Sequence, residues 1–360
     1  MQLGFGDGWI SAKIGQNATL ERLSAEVKWY RFEKLLTRLR SDGPGRPPKD
    51  ALMMLKALLL QQWYGLSDAD LEEALNDRMS FRRFAGLGLE EAAPDHTTLC
   101  RFRNELAQER LSEKLFSEFG RQLEARGLVL KRGTMIDASL ETPHRPGSVD
   151  GERQAVDPEA ALTARKGRPG THYGYKVHAG VDQESRLIRR LVLTPANVND
   201  TVPADALVCG DEKAVYADKG YAKRARREWL RSLGIKPRIM HKSWGGGPPL
   251  THWQKRANTL IAPIRAPVEG VFATLKRWMS YRCVRYRGLH RNGNHLNLLG
   301  LAYNMQRALK LSEAPHQDRA VSTPQNPAPP PAHQAKAELR NDPPQVEGQK
   351  KNRARPVRLP

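Results

Sequence analysis

Along the first part of the chain apolar residues recur at the three- and four-residue intervals of helices. Leu20, Leu23, Val27, Tyr30 and Phe32 predict a short helix, followed by a Gly/Pro-rich break at residues 41–48. Residues 51–64 are apolar nearly all round (Leu52, Met53, Met54, Leu55, Leu58, Leu59, Leu60), a pattern that predicts a buried central helix. Ser67, with Asp70 three residues on, reads as a capping-box start for a helix that turns Leu71, Ala74 and Leu75 inward. The chain is then expected to turn over residues 81–89. Pro94 and Asp95 open a third helix, with Leu99, Phe102 and Leu106 inside and Thr97, Arg101, Asn104 and Gln108 on the opposite face. A fourth, residues 112–126, presents Leu115, Phe116, Phe119 and Leu123 on one side and stops at Gly127, where a left-handed cap costs glycine little.

From residue 128 the pattern becomes strand-like. Strands are predicted at residues 128–130, 134–136, 175–179, 187–193, 214–217 and 235–240, with a helix over residues 222–233 closed by Gly234. After a Gly/Pro loop at residues 244–249, a helical stretch runs through Glu269 to about Met279, followed by a basic strand-like piece at residues 281–287 and a helix over residues 294–311. The segment 143–169 reads as a polar loop insertion. Residues 313–360 hold ten prolines and no aromatic residue, a composition that cannot offset its ordering entropy and predicts a disordered tail. The organisation expected is an N-terminal segment and linker (1–50), a helical domain (51–127), an α/β domain (128–311) and the tail (312–360).

Charge narrows the partner. Lys and Arg number 59 against 39 Asp and Glu, a net charge of +20 that favours a polyanion over an acidic small molecule. No apolar run reaches the roughly 20 residues of a bilayer span, and no export signal opens the chain, so a soluble cytoplasmic protein is expected. Cys100, Cys209 and Cys283 lie far apart and match no CxxC spacing, so neither a zinc site nor a disulfide frame is indicated.

Two acids end predicted strands: Asp137 after Thr134-Met135-Ile136, and Asp218 after Val215-Tyr216-Ala217. If those strands are neighbours, both carboxylates emerge at one edge and repel unless divalent cations bridge them; two unrelated turn aspartates are the alternative. Glu269 sits beside the apolar stripe Val268, Phe272, Leu275 and Met279, with Lys276 nearly two turns on and on the same face; an ordinary solvated face is the alternative there. Arg265 and Lys276 suit phosphate, and the basic runs at residues 223–227 and 281–287 extend the same surface. The face carrying Thr97, Arg101 and Asn104 suits DNA contact in a helix-turn-helix, or equally a bundle or dimer surface.

Taken together, these residues resemble the DDE-type insertion-sequence transposases, specifically the family-five-like group whose third-acid segment reads Tyr-x2-Arg-x3-Glu-x6-Lys. Arg265, Glu269 and Lys276 fall at the required intervals; Asp137 in Ile-Asp-Ala-Ser and Asp218 in Ala-Asp-Lys-Gly-Tyr look like the first and second acids. Residues 66–84 and 94–103 are similar to the group's N-terminal region, and the likeness covers about residues 20–311. The chain departs from the pattern at Ala262, which stands at the tyrosine position, and at Pro267, which is expected to mark the first turn of the helix. The resemblance implies a ribonuclease H-like mixed sheet flanked by helices, preceded by an all-α N-terminal domain. It also implies Asp137, Asp218 and Glu269 as catalytic ligands of two Mg2+ ions, with Mn2+ as a substitute. Cleavage at the ends of an insertion sequence and strand transfer into target DNA would follow, performed by a homo-oligomer on double-stranded DNA, with Arg265, Lys276, Lys219, Arg101, Thr97 and Asn104 as DNA contacts. His172, His178 and His241 are not expected as ligands, because Mg2+ prefers hard oxygen donors. Two other readings stay open: a non-catalytic basic DNA-binding regulator, and a nuclease of the same fold that does not join strands.

Overall fold

The computed structural model describes residues 16–39, 48–143, 148–149, 152–153, 157–164, 171–243 and 247–313. Residues 41–47 of the break predicted over 41–48, much of the 143–169 insertion and the tail beyond residue 313 lie outside them.

Helix α1 (Ala18–Glu26) begins at Asn17, whose side chain accepts from the Leu20 N–H, and α2 (Trp29–Leu36) follows after an extended Val27. The single short helix expected here is therefore two, because burying Val27, Leu23 and Phe32 together requires a bend between them. Helix α3 (Ala51–Tyr64) is the central rod: Asp50 caps it, Leu55, Leu58, Leu59 and Leu60 are fully buried, and Gly65 ends it with φ of 65°. Only glycine suits that end, since a Cβ would sit 2.4 Å from Ser280 Oγ. Helix α4 (Asp68–Asp77) carries both halves of the expected capping box between Ser67 and Asp70.

The turn expected over residues 81–89 is instead led by a helix, α5 (Met79–Ala85), closed by Gly86. Two turns are too short to display a period, yet Phe81 and Phe84 share a face and pack on Tyr64 and Trp63. Helices α6 (His96–Gln108) and α7 (Leu111–Ala125) complete this layer. Residues 128–130 form no strand: Gly127 takes a left-handed turn and the Leu128 N–H returns to Leu123 O at 3.0 Å, so the segment is the closing turn of α7.

Among the described residues the sheet has seven strands: β1 (Thr134–Pro143), β2 (Ala161–Ala164), β3 (Thr171–Asp182), β4 (Ile188–Pro195), β5 (Ala214–Ala217), β6 (Lys236–Ile239) and β7 (Cys283–Val284). Strands β1, β3 and β4 form an antiparallel meander, and β5 then β6 add in parallel on the other side of β1. The resulting order β4-β3-β1-β5-β6 is the ribonuclease H-like arrangement. Strand β2, inside the expected loop insertion, pairs with the start of β3. The strand expected over residues 281–287 shrinks to β7, whose two residues meet only the end of β1.

Two cores clamp the sheet. On one face Ile136, Val215, Ala217, Leu230 and Ile239 pack beneath α8 (Arg224–Ser232) and the short turn Pro203–Leu207. On the other, Met135, Val177, Ala179 and Val181 join one continuous core that takes in the N-terminal helices. The final helix, α11 (Leu289–Glu313), starts five residues before the expected point and packs against α1, α3, α6, α7 and β4. Trp63 Nε1 donates to Ala302 O on it at 2.8 Å. At Gly300 the helix comes so close that a Cβ would lie 2.5 Å from Leu191 and 3.0 Å from Phe116. Gly300→Val is expected to cost about 1–3 kcal/mol by overpacking, read as a lower urea midpoint; an unchanged midpoint would show that β4 and α7 yield freely.

Buried polar side chains tie these helices together. Arg103 is 4% exposed, grips both oxygens of Asp68, donates to Gln61 at 3.2 Å and lies 5.3 Å from the centre of the Tyr286 ring. Beside it His295 Nε2 lies 2.9 Å from Gln62 Oε1.

Candidate active site

Strand register brings the first two acids together. Parallel pairing sets Thr134, Met135 and Ile136 of β1 against Val215, Tyr216 and Ala217 of β5. One residue further on, Asp218 leaves β5 beside Asp137, which lies inside β1 and not at its end as expected, because pairing with β3 carries β1 on to Pro143. Strand β7 takes up this edge of β1 only at Thr142, so the sheet parts just where the acids emerge. A crevice at the carboxyl ends of parallel strands is the usual ligand position in open sheets. Ile136 and Ala217 point into the smaller core, and alternation therefore turns both acids to the opposite face.

That face is covered by α9 (His252–Arg265) and α10 (Pro267–Arg277). Pro267 is the first residue of α10, as expected, because its missing N–H falls among those with no helical acceptor. Val268, Val271, Phe272 and Leu275 bury one side of α10, while Glu269 lies in the first turn with its side chain 68% exposed. The third-acid motif is thus split between two helices: Arg265 ends α9, Ala266 is the joint, and Glu269 opens α10.

Arg265 spans the site. Its guanidinium donates to Asp137 Oδ2 at 3.3 Å and to Glu269 Oε1 at 3.2 Å. Burial pushes the Asp137 carboxyl above the usual carboxylate range; Arg265 and the Ala138 N–H, 2.9 Å away, oppose this, and Glu269 and Asp218 reinforce it. The three acids therefore share one electrostatic field, in which any added cation is attracted. Carboxylate oxygens are the donors a hard divalent ion prefers. Among the described residues, however, no three acidic, His or Cys side chains enclose a metal position; Glu269 is drawn to Arg265 rather than to the aspartates.

The remaining expected residues are dispersed. Lys276 is half-buried near the end of α10, and Lys219 is exposed beside Asp218. On α6, Arg101 is exposed, whereas the Thr97 hydroxyl donates to Asp95 at 2.6 Å and the Asn104 amide lies 3.7 Å from Cys100 Sγ. His178 occupies the sheet face away from the acids, 2.9 Å from Thr194 Oγ1, and burial lowers its pKa to about 4. His241 is held through its main chain by Asn258, and His172 is half-buried in β3.

Sequence reasoning missed Tyr221. It is 3% exposed, its hydroxyl has no hydrogen-bond partner among the described residues, and burial together with the charges of Asp137, Asp200 and Asp218 holds it protonated. Asp200, also missed, accepts from Lys176 Nζ at 2.9 Å. The only signal was the Ala-Asp-Lys-Gly-Tyr segment, which names the tyrosine but not its burial beside the acids.

Comparison with known proteins adds family. A family model described as "Transposase domain (DUF772)" matches residues 9–105, and one described as "Transposase DDE domain" matches residues 130–305. Among solved structures, the Mos1 strand transfer complex is 16% identical, with 78% of this chain and 84% of that chain covered at a TM-score of 0.19. The pre-cleavage Mos1 transpososome is 15% identical, with 78% and 83% covered at a TM-score of 0.19.

Proposed function

The chain belongs to the DDE-type transposases, and from that premise we propose that Asp137, Asp218 and Glu269 are the acids with which it cuts the ends of an insertion sequence and joins them to target DNA. The observation that carries this reading is the β1–β5 register that places Asp137 beside Asp218, with Arg265 linking Asp137 to Glu269. The Arg265, Glu269 and Lys276 spacing supports membership of the group named for that motif.

The three carboxylates would hold Mg2+, or Mn2+ in its place. When bound, the ions would supply activation of an attacking water or 3'-hydroxyl and charge stabilisation for the departing oxygen. The chain's own residues supply the rest. Arg265 presents a planar fork that suits two phosphate oxygens as well as it suits the two acids it now bridges. Lys219 and Lys276 add positive charge at the exit of β5 and the end of α10. The half-buried setting of Asp137 lowers the local dielectric and strengthens each of these attractions.

Double-stranded DNA, as terminal inverted repeats and target, is the partner this chemistry requires, and holding two ends calls for at least two copies of the chain. The helical region, residues 51–127, would contact the repeats or the second copy, with Arg101, Thr97 and Asn104 of α6 on its outer face. No described helix is long and apolar enough to cross a membrane; a place on the bacterial nucleoid accords with the +20 charge.

The test uses the full chain and a duplex carrying the inverted repeat that flanks its coding region, with and without Mg2+. Cleavage at the repeat followed by joining of the 3' ends to a plasmid is expected. Cleavage without joining would make the protein a nuclease, and binding without metal-dependent cleavage would make it a regulator; either result overturns the proposal.

A further inference from the structure

The turn between β3 and β4 is held against α11 by its carbonyls. Arg307 Nε donates to Ser185 O at 2.8 Å, and the Tyr303 hydroxyl donates to Arg186 O at 3.1 Å. Arg186 is left-handed there, with φ of 58°, a conformation that a residue other than glycine keeps only where its surroundings fix it. With both acceptors taken, the groups left around the turn are donors. They border a cavity of about 140 Å3 between the turn, α10 and α11, lined by Arg186, Gln306, Arg307 and Lys310 on one side and by Gly270 and Thr274 of α10 on the other. Gly270 directly follows Glu269, so the cavity lies on the helix that carries the third acid.

No acid answers these three cations. Among the described residues no carboxylate lines the cavity. The neighbouring acids are committed elsewhere: Asp182 accepts from the Lys131 and Ser185 N–H groups, Glu184 pairs with Arg132 at 3.0 Å, Glu269 with Arg265 at 3.2 Å, and Glu313 with Arg22. Arg307 is half-buried, and burial together with the charge of Arg186 weakens its hold on its proton. A guanidinium drawn partly out of water beside a like charge is costly until an anion joins it.

Size and charge select that anion. At about 30 Å3 per water the cavity holds about four or five waters, which is room for a phosphate group and not for a base with its sugar. A backbone diester carries one negative charge and continues as chain on both sides. A terminal phosphate carries about −1.5 to −2 at neutral pH and presents three free oxygens. Three convergent cations with no acid among them match the second, with the arginines able to bind two oxygens each. Cutting DNA makes such a group. When water adds to phosphorus and the P–O3' bond breaks, the departing 3' oxygen takes a proton and the phosphate stays on the 5' end of the other fragment.

We propose that the pocket of Arg186, Arg307 and Lys310 binds a terminal phosphate, and that the 5'-phosphate of a cut DNA end is its source. The source rests on the acids being the cleavage site, and the test keeps the two apart.

Affinity is measured on the full chain without metal, for end duplexes that differ only in carrying a 5'-phosphate or a 5'-hydroxyl. The phosphorylated end is expected to bind about tenfold tighter, the scale of one charge-assisted hydrogen bond. Millimolar inorganic phosphate should remove that gain, and chloride at equal ionic strength should not. The double variant Arg186→Gln/Lys310→Gln removes the two exposed cations and leaves the Arg307 bond to Ser185 in place, so its urea midpoint should hold. It should lose the gain while its affinity for the 5'-hydroxyl end stays close to that of the wild type. Equal affinity for the two ends, with no phosphate-induced rise in wild-type melting temperature, overturns the pocket. So does a double variant that binds both ends equally more weakly, since the cations then serve the duplex at large. A melting rise that the double variant lacks, without any preference for the phosphorylated end, keeps the pocket and overturns the DNA end as its source. Mg2+-dependent cleavage is recorded in parallel: its failure with the 5'-phosphate gain intact would sink the catalytic reading and leave the pocket standing.

Discussion

Asp218→Asn is expected to lower metal-dependent cleavage by more than about a hundredfold, since losing merely an outer partner of a metal ligand already costs about ten- to a hundredfold. Folding and DNA binding should be unchanged. Asp218 is suited to this test because its structural duties fall on its main chain: its carbonyl accepts from the Tyr221 N–H at 3.0 Å, and its side chain caps no helix. The amide keeps the shape and removes the charge. Asp137→Asn would also weaken the Arg265 contact that links β1 to α9, and so would mix structure with chemistry. Cleavage rate, duplex affinity and urea midpoint would be measured on one preparation. Cleavage that survives at the wild-type rate removes Asp218 from the site and the three-acid reading with it.

Stability is expected to fall steeply with acid well above the range where carboxylates titrate. Two histidines are buried neutral: burial lowers His178 to about 4 and His295 to about 3, the latter helped by the positive charges of Arg285 and Arg103. Both folded values lie below the ordinary value of about 6.5. Below that pH the unfolded chain takes up protons that the folded chain refuses, so the stabilisation is complete above about pH 6.5 and is lost progressively toward pH 4 and 3. Each histidine contributes up to about 1.4 kcal/mol per pH unit in this window, or about 4 kcal/mol for the pair between pH 6.5 and pH 5. Urea midpoints at pH 7 and pH 5 measure it, and replacing both residues by Gln should flatten the difference. Equal midpoints in the wild-type chain would show that one or both rings accept a proton in place.

The helices and most of the strands were legible in the sequence because their apolar residues recur over several turns, as in α3 and α7, or end in unmistakable caps, as at Ser67 and Gly127. Misreadings came where the segment was too short to show a period. Helix α5 looked like a turn, and Leu128 looked like the start of a strand although it closes a helix. The acids were legible as types at strand and helix positions, but their meeting depends on β1 and β5 being parallel neighbours, which no local pattern specifies. Arg265 was read as a phosphate ligand from its interval to Glu269; that it reaches Asp137, 128 residues away in sequence, is a product of the break at Ala266. Tyr221 escaped because burial is a property of the assembled fold.

The last helix supplies the far wall of the core that α3 begins. Leu55 and Trp63 belong to the same apolar cluster as Leu298, Leu301 and Met305, more than two hundred residues downstream. A growing chain therefore contains all three acids before the helix that closes its core has been made. A product terminated ahead of Leu289 would keep Asp137, Asp218 and Glu269 and still expose the apolar wall of α3. Such a fragment is expected to be unstable, because the acids would be present without the wall that completes the core beneath them.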